Sequence, residues 1–247
     1  MKIKIADIMI KAMAQTLADG DTVLHGLGSP LPAIAMHLAK ASHAPDLVFF
    51  PVSEGLDPNP DRYRLRLSSA DPDHFVGAKA VIELIETFDL ASKGKLTAMF
   101  LGGAQIDSRG NTNLTCIGDY QRPKIKLPGG AATSFLTPLV KKLILWTTHH
   151  SKRVFVDRLD FLTGLGYEEG KDKEVTIITD KAVFMVEKGY LVLKSVHKDV
   201  SVKDVVENMS FAPIVGKYGV TTTPTSEDMV LIRNIDPDGI RFSEFEG

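Results

Sequence analysis

The run GGAQIDSRGNTNLTCIGDYQRPKIKLPGG, starting at Gly102, favours backbone freedom and amide chemistry over packing. Gly102, Gly103 and Gly110 permit positive φ and close approach of a ligand to the main chain. Gln105, Asn111, Asn113 and Thr115 bring hydrogen-bonding groups into the same short span. Donors set in such a turn can meet an oxygen on which charge develops, so the backbone around Gly102–Ala104 and Gly129–Ala131, with Gln105 and Asn113, supplies the first candidate binding residues. The same glycines equally serve a plain chain reversal between strands. A second cluster is His149–His150 followed by Lys152 and Arg153. Histidine exchanges protons near neutral pH, and Arg153 can grip a carboxylate or phosphate with two parallel hydrogen bonds. The alternative is an ordinary polar loop at a strand end. The adjacent histidines lack the spacing and third ligand of a metal site, and none is expected.

These groups need elements to hold them. Ile8, Ala12, Met13 and Leu17 recur at helical spacing, with Asp19–Gly20 as the stop. Thr22–Leu24 reads as a strand running into HGLGSP. There Ser29 and Pro30 open a helix to about Ala41, and the turn is a possible anion site although its third glycine is missing. Leu47–Phe50 and Leu96–Leu101 are buried strands, Tyr63–Leu67 a further possible one, and Lys79–Ser92 an amphipathic helix closed by Gly94. Beyond Leu143 the pattern changes to KLILW, RVFVD, VTIITD and AVFMVEKGYLVLKSVH, strands with a Lys188–Gly189 turn. A short helix over Val202–Met209 follows, then a last one capped by Thr225 or Ser226 that stops at Asp236–Pro237. Strand and helix alternating first, then strands alone, predict an α/β fold: a three-layer open, mostly parallel sheet with helices on both faces and a C-terminal antiparallel extension.

Composition narrows the partners. The 247 residues are 44% hydrophobic, enough for a sizeable core, and no linker separates independent parts, so a single domain over residues 1–247 is expected. A net charge of −2 without a basic block argues against nucleic acid. No apolar run approaches ~18 residues, which argues against a membrane span. The amphipathic start is unlike a signal peptide, and a single cysteine, Cys116, suits a cytoplasmic location. Cys116 reads as a small buried hydrophobe rather than a reactive thiol.

Four stretches in order, LADGDTVLHGLGSPLPAIAMHLAKASHAPDLV, the glycine-rich run, HHSKRVFVDRLDFLTGLGY and TPTSEDMVLIRNIDPDG, resemble the β-type subunit of the family I CoA-transferases, the glutaconate CoA-transferase group. The resemblance implies a heteromeric enzyme, a heterodimer or α2β2 heterotetramer with an α-type CoA-transferase subunit. Its substrates would be an acyl-CoA and a carboxylic acid, with coenzyme A thioester as substrate rather than a permanently bound cofactor. Family transferases carry a nucleophilic glutamate in a Glu-Ser-Gly motif. In APDLVFFPVSEGLDPNP, Val52 occupies the glutamate's place and Ser53 the serine's, and Glu54 falls two residues later. Glu54 is accordingly the candidate nucleophile, with Val52 and Ser53 beside the substrate.

The same resemblance leaves other chemistry open. Relatives without that glutamate cleave carbon–carbon bonds of CoA thioesters. SKRVFVDRLDFLTGLGY and VSVKDVVENMSF are similar to the ring-opening steroid-catabolism hydrolases, while the LDP after Gly55 and the SPL at Ser29 are similar to the decarboxylase branch. A non-catalytic subunit that shapes a partner's active site is the third expectation.

Overall fold

The computed structural model describes residues 3–50, 55–59, 61–66, 68 and 71–245. The chain begins with α1 (Ile5–Ala14), β1 (Thr22–Leu24), α2 (Pro30–Ser42), β2 (Val48–Phe50), α3 (Leu84–Ser92) and β3 (Ala98–Gly102). Four two-residue strands follow, β4 (Gln105–Ile106), β5 (Thr112–Asn113), β6 (Cys116–Ile117) and β7 (Ile125–Lys126), then α4 (Thr133–Leu136) and β8 (Lys142–Thr147). The rest is β9 (Glu174–Thr179), β10 (Ala182–Glu187), β11 (Tyr190–Val196), α5 (Val202–Glu207), β12 (Gly219–Val220) and α6 (Ser226–Ile235), with 3-10 turns at Pro72–Phe75 and Ile240–Phe245. Two compact units result: Met1–Phe100 with Thr222–Gly247, and Leu101–Thr221.

In the first unit β1 lies between β2 and β3 and runs parallel to both, pairing Val23 with Phe49 and with Ala98. Parallel strands need crossovers, and α2 and α3 supply them. α2 buries every residue from Leu31 to Ala39, which an apolar stripe on one face alone would not require. α1 packs on α2, and α6 packs on both. α6 starts as its sequence predicts: Thr225 accepts from the Asp228 N–H while the Asp228 side chain accepts from the Thr225 N–H. Ser29 does precede α2, but its side chain makes no capping bond.

In the second unit β8 and β9 are parallel, and β9, β10 and β11 form an antiparallel meander. The β10–β11 turn is Lys188–Gly189 with φ of 52° and 82°, both in the left-handed region a two-residue hairpin uses. β12 adds a parallel edge to β11. The fold is thus α/β with mostly parallel pairing and the expected antiparallel stretch.

Some local expectations fail, each for a local reason. The helix read over Lys79–Ser92 begins only at Leu84, because Glu86 closes a capping box on the Glu83 N–H at 2.6 Å and residues 79–80 pair instead with Leu56. α1 stops at Ala14 rather than near Gly20; the Thr16 hydroxyl takes the Met13 carbonyl at 2.7 Å. RVFVD makes only a single bridge, Phe155 to Ile106, since its partner β4 is two residues long. Tyr63–Arg66 keep the alternating burial of a strand, with Tyr63 and Leu65 inside. Leu65, however, donates to the Ile235 carbonyl of a helix end rather than to a ladder.

Candidate active site

Glu54, Val52 and Ser53 lie outside the described residues. The described chain that follows them is anchored. Asp57, three residues on, donates its N–H to the Phe49 carbonyl at 3.1 Å and carries φ 46°. Its carboxylate is buried and paired with Lys40 at 2.8 Å and Lys79 at 2.6 Å. Burial alone would raise its pKa, but the hydrogen bonds from the two lysines outweigh that and hold it below the usual carboxylate range.

In the second unit the glycine-rich run builds a self-bonded frame. Asn113, fully buried, donates to Gln105 Oε1 at 2.8 Å and to the Cys116 carbonyl at 2.6 Å. Its carbonyl oxygen accepts from the N–H groups of Thr115 and Cys116. Gln105 in turn exchanges bonds with Asp160, 3.0 Å from its N–H and 3.1 Å to its carboxylate, and Asp160 also takes the Gly118 N–H. The side chains expected to greet a ligand are therefore committed to shaping the loop, with one Gln105 hydrogen left over. A Cβ on Gly103 would sit 3.1 Å from Ile106 and 3.3 Å from Thr112, so its glycine reflects packing. The Ala104 N–H donates to the Asn113 carbonyl, and the Gly129 N–H to the Leu114 carbonyl at 2.7 Å. Among the described residues, the N–H groups of Gly130 and Ala131 make no such bond, and Ala131 is exposed with φ 21°. Gly102 closes β3 beside the Trp146 carbonyl. Hydrogen bonds thus join Ala104, Gln105 and Asn113, while Gly129 is tied to Leu114, Gly103 is fitted by packing and Gly130 turns into α4.

Arg153 and His149 do not join that set by any side-chain bond; both are exposed. Their neighbour His150 is buried instead, bonded to Thr179 Oγ1 at 3.1 Å and the Val205 carbonyl at 2.9 Å, and burial pushes it down to about 4. It supports the meander rather than moving protons. Cys116 is buried, as its residue type suggests.

Sequence reasoning missed a third feature. In the first unit a cavity of about 100 Å³ opens beside the end of β1 and the start of α2, lined by His25, Tyr63, Arg66, His74 and Glu244 among others. His25, Ala33 and Tyr63 also line a smaller recess that reaches Phe49, Phe50 and Gly55, the residue after Glu54. His25 keeps a local bond to the Gly26 carbonyl at 3.0 Å. Pro30 and Pro32 leave Leu31 as the one early α2 residue with an N–H to offer, so HGLGSP makes a poor anion cradle. His37, its ring tilted against Tyr63 at 4.2 Å, and the stack of Tyr63 on His74 at 5.1 Å back the wall.

Residues 6–208 match the family model described as Coenzyme A transferase. The chain belongs to the coenzyme A transferase family. It is 31% identical to the B-type subunit of the 3-oxoadipate CoA-transferase of Pseudomonas knackmussii, over 93% of this chain and 92% of that one. The corresponding subunit of the glutaconate CoA-transferase of Acidaminococcus fermentans is 28% identical over 91% and 90%. The IpdB subunit of the cholesterol ring-cleaving hydrolase of Rhodococcus jostii is also 28% identical, over 94% and 92%. Among solved structures, the decarboxylase AibA/AibB superposes with a TM-score of 0.90 at 31% identity, covering 98% of this chain and 99% of that one. The family resemblance seen in the four sequence blocks is correct, and the coenzyme A transferase fold accounts for the parallel core and the meander alike. These relatives are named as subunits of multi-chain enzymes. Among the described residues no helix is long and apolar enough to cross a membrane.

Two signals in this transferase-family chain were readable yet unread. Gly166 sits where any Cβ would strike the Arg109 and Gly110 backbone, and a Cβ on Gly164 would lie 2.6 Å from Thr112 Oγ1. The TGLGY glycines therefore lock the signature run from the far side. Thr163 completes the lock by accepting from the Leu114 N–H at 2.9 Å.

Proposed function

We propose that the chain is the β-type subunit of a heteromeric enzyme that transfers CoA between carboxylic acids, with an α-type subunit of the same family as partner. The observation that carries this is the end-to-end match, at 31% identity, to a subunit of the 3-oxoadipate CoA-transferase. In this reading Glu54 attacks the acyl-CoA carbonyl, expelling CoA thiolate and leaving an acyl–glutamyl anhydride. The thiolate then attacks the glutamyl carbonyl, releasing the first acid and leaving CoA as a glutamyl thioester. The acceptor acid takes CoA by the same two steps reversed. Charge builds on the carbonyl oxygen at each attack, and the N–H groups of Gly130 and Ala131 are the donors we assign to it. Val52 and Ser53 flank the nucleophile, His149 and Arg153 face the CoA phosphates or an acid carboxylate, and the Gln105–Asn113 frame holds the loop. The Asp57 anchor supports Glu54 by fixing the start of the chain that follows it.

A second reading is favoured by one specific feature: Val52 stands where the motif glutamate belongs, and the decarboxylase AibA/AibB superposes with a TM-score of 0.90. The chain would then serve a carbon–carbon bond hydrolase or decarboxylase of CoA thioesters. A third, a non-catalytic subunit that shapes the partner's site, predicts no effect of changing Glu54.

Intact-mass analysis of the two-subunit complex after brief exposure to acyl-CoAs decides among them. A CoA-sized adduct that maps to Glu54 and vanishes in Glu54→Ala is expected. Turnover without adduct and without an acceptor acid would overturn transfer in favour of lysis. Unchanged turnover in Glu54→Ala would remove the residue from the chemistry.

A further inference from the structure

The charged run EEGKDKE that leads into β9 holds a lysine unlike its neighbours. The Lys173 side chain is only 2% exposed. Its Nζ donates to the Thr137 carbonyl at 2.7 Å and to the Leu165 carbonyl at 2.8 Å. Glu168 Oε1 stands 3.9 Å from it, a neighbouring charge rather than a bonded partner, buried and without a hydrogen bond among the described residues. Burying an ammonium group costs solvation and side-chain freedom, so a lysine goes inside only where its bonds are needed.

The two carbonyls belong to different parts of the glycine-rich frame. Thr137 caps the C-terminal end of α4, where carbonyls lack partners within the helix, and Leu165 lies in the middle of TGLGY. The Leu165 N–H joins the same two residues again, donating to Thr137 Oγ1 at 3.0 Å. At the other end of α4 the Thr133 N–H donates to the Gly130 carbonyl at 2.6 Å. Packing between these parts is tight. A Cβ on Gly164 would lie 2.7 Å from Thr133 Cγ2 and 3.3 Å from Thr137 Cγ2, and one on Gly130 would lie 3.2 Å from Thr163 Cγ2. The sheet fixes the stem of the lysine, since the Glu174 N–H donates to the Lys141 carbonyl at 2.7 Å.

We propose that Lys173 is a positioning residue for acyl transfer: it holds α4 against TGLGY and so sets the direction of the Gly130 and Ala131 N–H groups. It acts through α4 and not on substrate. The inference rests on the reading of those two N–H groups as donors to the reacting carbonyl oxygen. Such donors work only at about 2.7–3.1 Å from the oxygen, and a displacement of about 1 Å costs on the order of 100-fold.

Hydrogen exchange read by mass spectrometry on the two-subunit complex tests the positioning. Lys173→Met should speed exchange at least roughly tenfold in residues 129–137 and 163–167 while β8–β11 stay protected. Lys173→Arg keeps charge and donors and should restore most of the protection, and exposed Lys171→Met should change nothing. Where the methionine variant does not fold, Lys173→Gln, which keeps one donating arm, is read in its place. Single-turnover reaction of the same complexes with acetyl-CoA or succinyl-CoA then tests the donors. The saturating rate should fall about 10–100-fold, with the half-saturating concentration within about threefold of wild type. Unaltered exchange over residues 129–137 overturns the proposal. So does a rise spread evenly over the sheet, which would make Lys173 a residue of general stability, or a wild-type rate at saturation. A wild-type complex that consumes neither thioester counts against the transfer reading alone, since the exchange pattern still decides whether Lys173 holds the donors in place.

Discussion

Asn113 has both amide hydrogens and both carbonyl lone pairs bonded inside the protein, which makes its removal expensive. Asn113→Ala should cost about 2–4 kcal/mol in a urea unfolding series, because it leaves several buried partners unsatisfied at once. A loss under about 0.5 kcal/mol would show that the frame does not depend on it. His37 has a different logic. Neither of its ring nitrogens meets a partner among the described residues, and burial, with the nearby His25, pushes it down to about 3. The unfolded chain binds that proton near 6.5 and the folded one does not, so stability is full above 6.5 and falls as pH drops below it. The slope should approach 1.4 kcal/mol per pH unit from each such histidine, His150 included down to about 4. Glu244 works with the opposite sign: raised to about 7, it binds its proton more tightly when folded, and its contribution is lost as pH rises from the ordinary carboxylate range through 7. Unfolding midpoints of His37→Phe and Glu244→Gln across pH should separate the two slopes.

At the scale of elements, the anchors around loops decide more than the strands do. A Cβ at Gly166 collides with the backbone of Arg109 and Gly110, a neighbour that cannot rotate away. Gly166→Ala should therefore destabilise by about 2 kcal/mol or more and depress turnover of the complex, whereas Gly170→Ala, with open space around its Cβ but φ 77°, should cost only about 1 kcal/mol. Comparable losses at the two positions would deny the lock its role. What the sequence revealed and withheld follows the same division. The Lys188–Gly189 turn and the Thr225–Asp228 cap were readable, since each is decided by residues a few positions apart. The amides of Gln105 and Asn113 were visible as hydrogen-bonding groups, but whether they bonded to a ligand or to each other depended on Asp160, a distant residue. RVFVD has the composition of a strand and lacks a partner long enough to make it one.

For the whole molecule, the cavity was illegible because its walls come from remote parts of the chain. His25 follows a strand, His74 sits in a 3-10 turn, and Glu244 belongs to an acidic tail with nothing local to mark it. The Arg241 clamp, with Lys4 set over the Phe242 ring, brings that segment to α1. Breaking it by Arg241→Met leaves Asp7 and Asp236 as facing buried carboxylates. A cost of about 3–5 kcal/mol is expected, and calorimetric unfolding measures it. A variant that unfolds at the wild-type midpoint would mean the clamp is idle.

The clamp has a further consequence during synthesis. Asp7 leaves the ribosome well before Arg241, and all of Leu101–Thr221 emerges between them. At ~5–20 residues per second, α1 and α2 wait on the order of ten seconds for the segment that completes their core, exposing apolar faces such as Met9, Ile34 and Leu38 throughout. The inserted stretch, being continuous, has no such wait. Nascent chains should thus gain protease resistance in Leu101–Thr221 before α1 and α2 do, and chaperones that bind greasy helices have their natural target in those two helices.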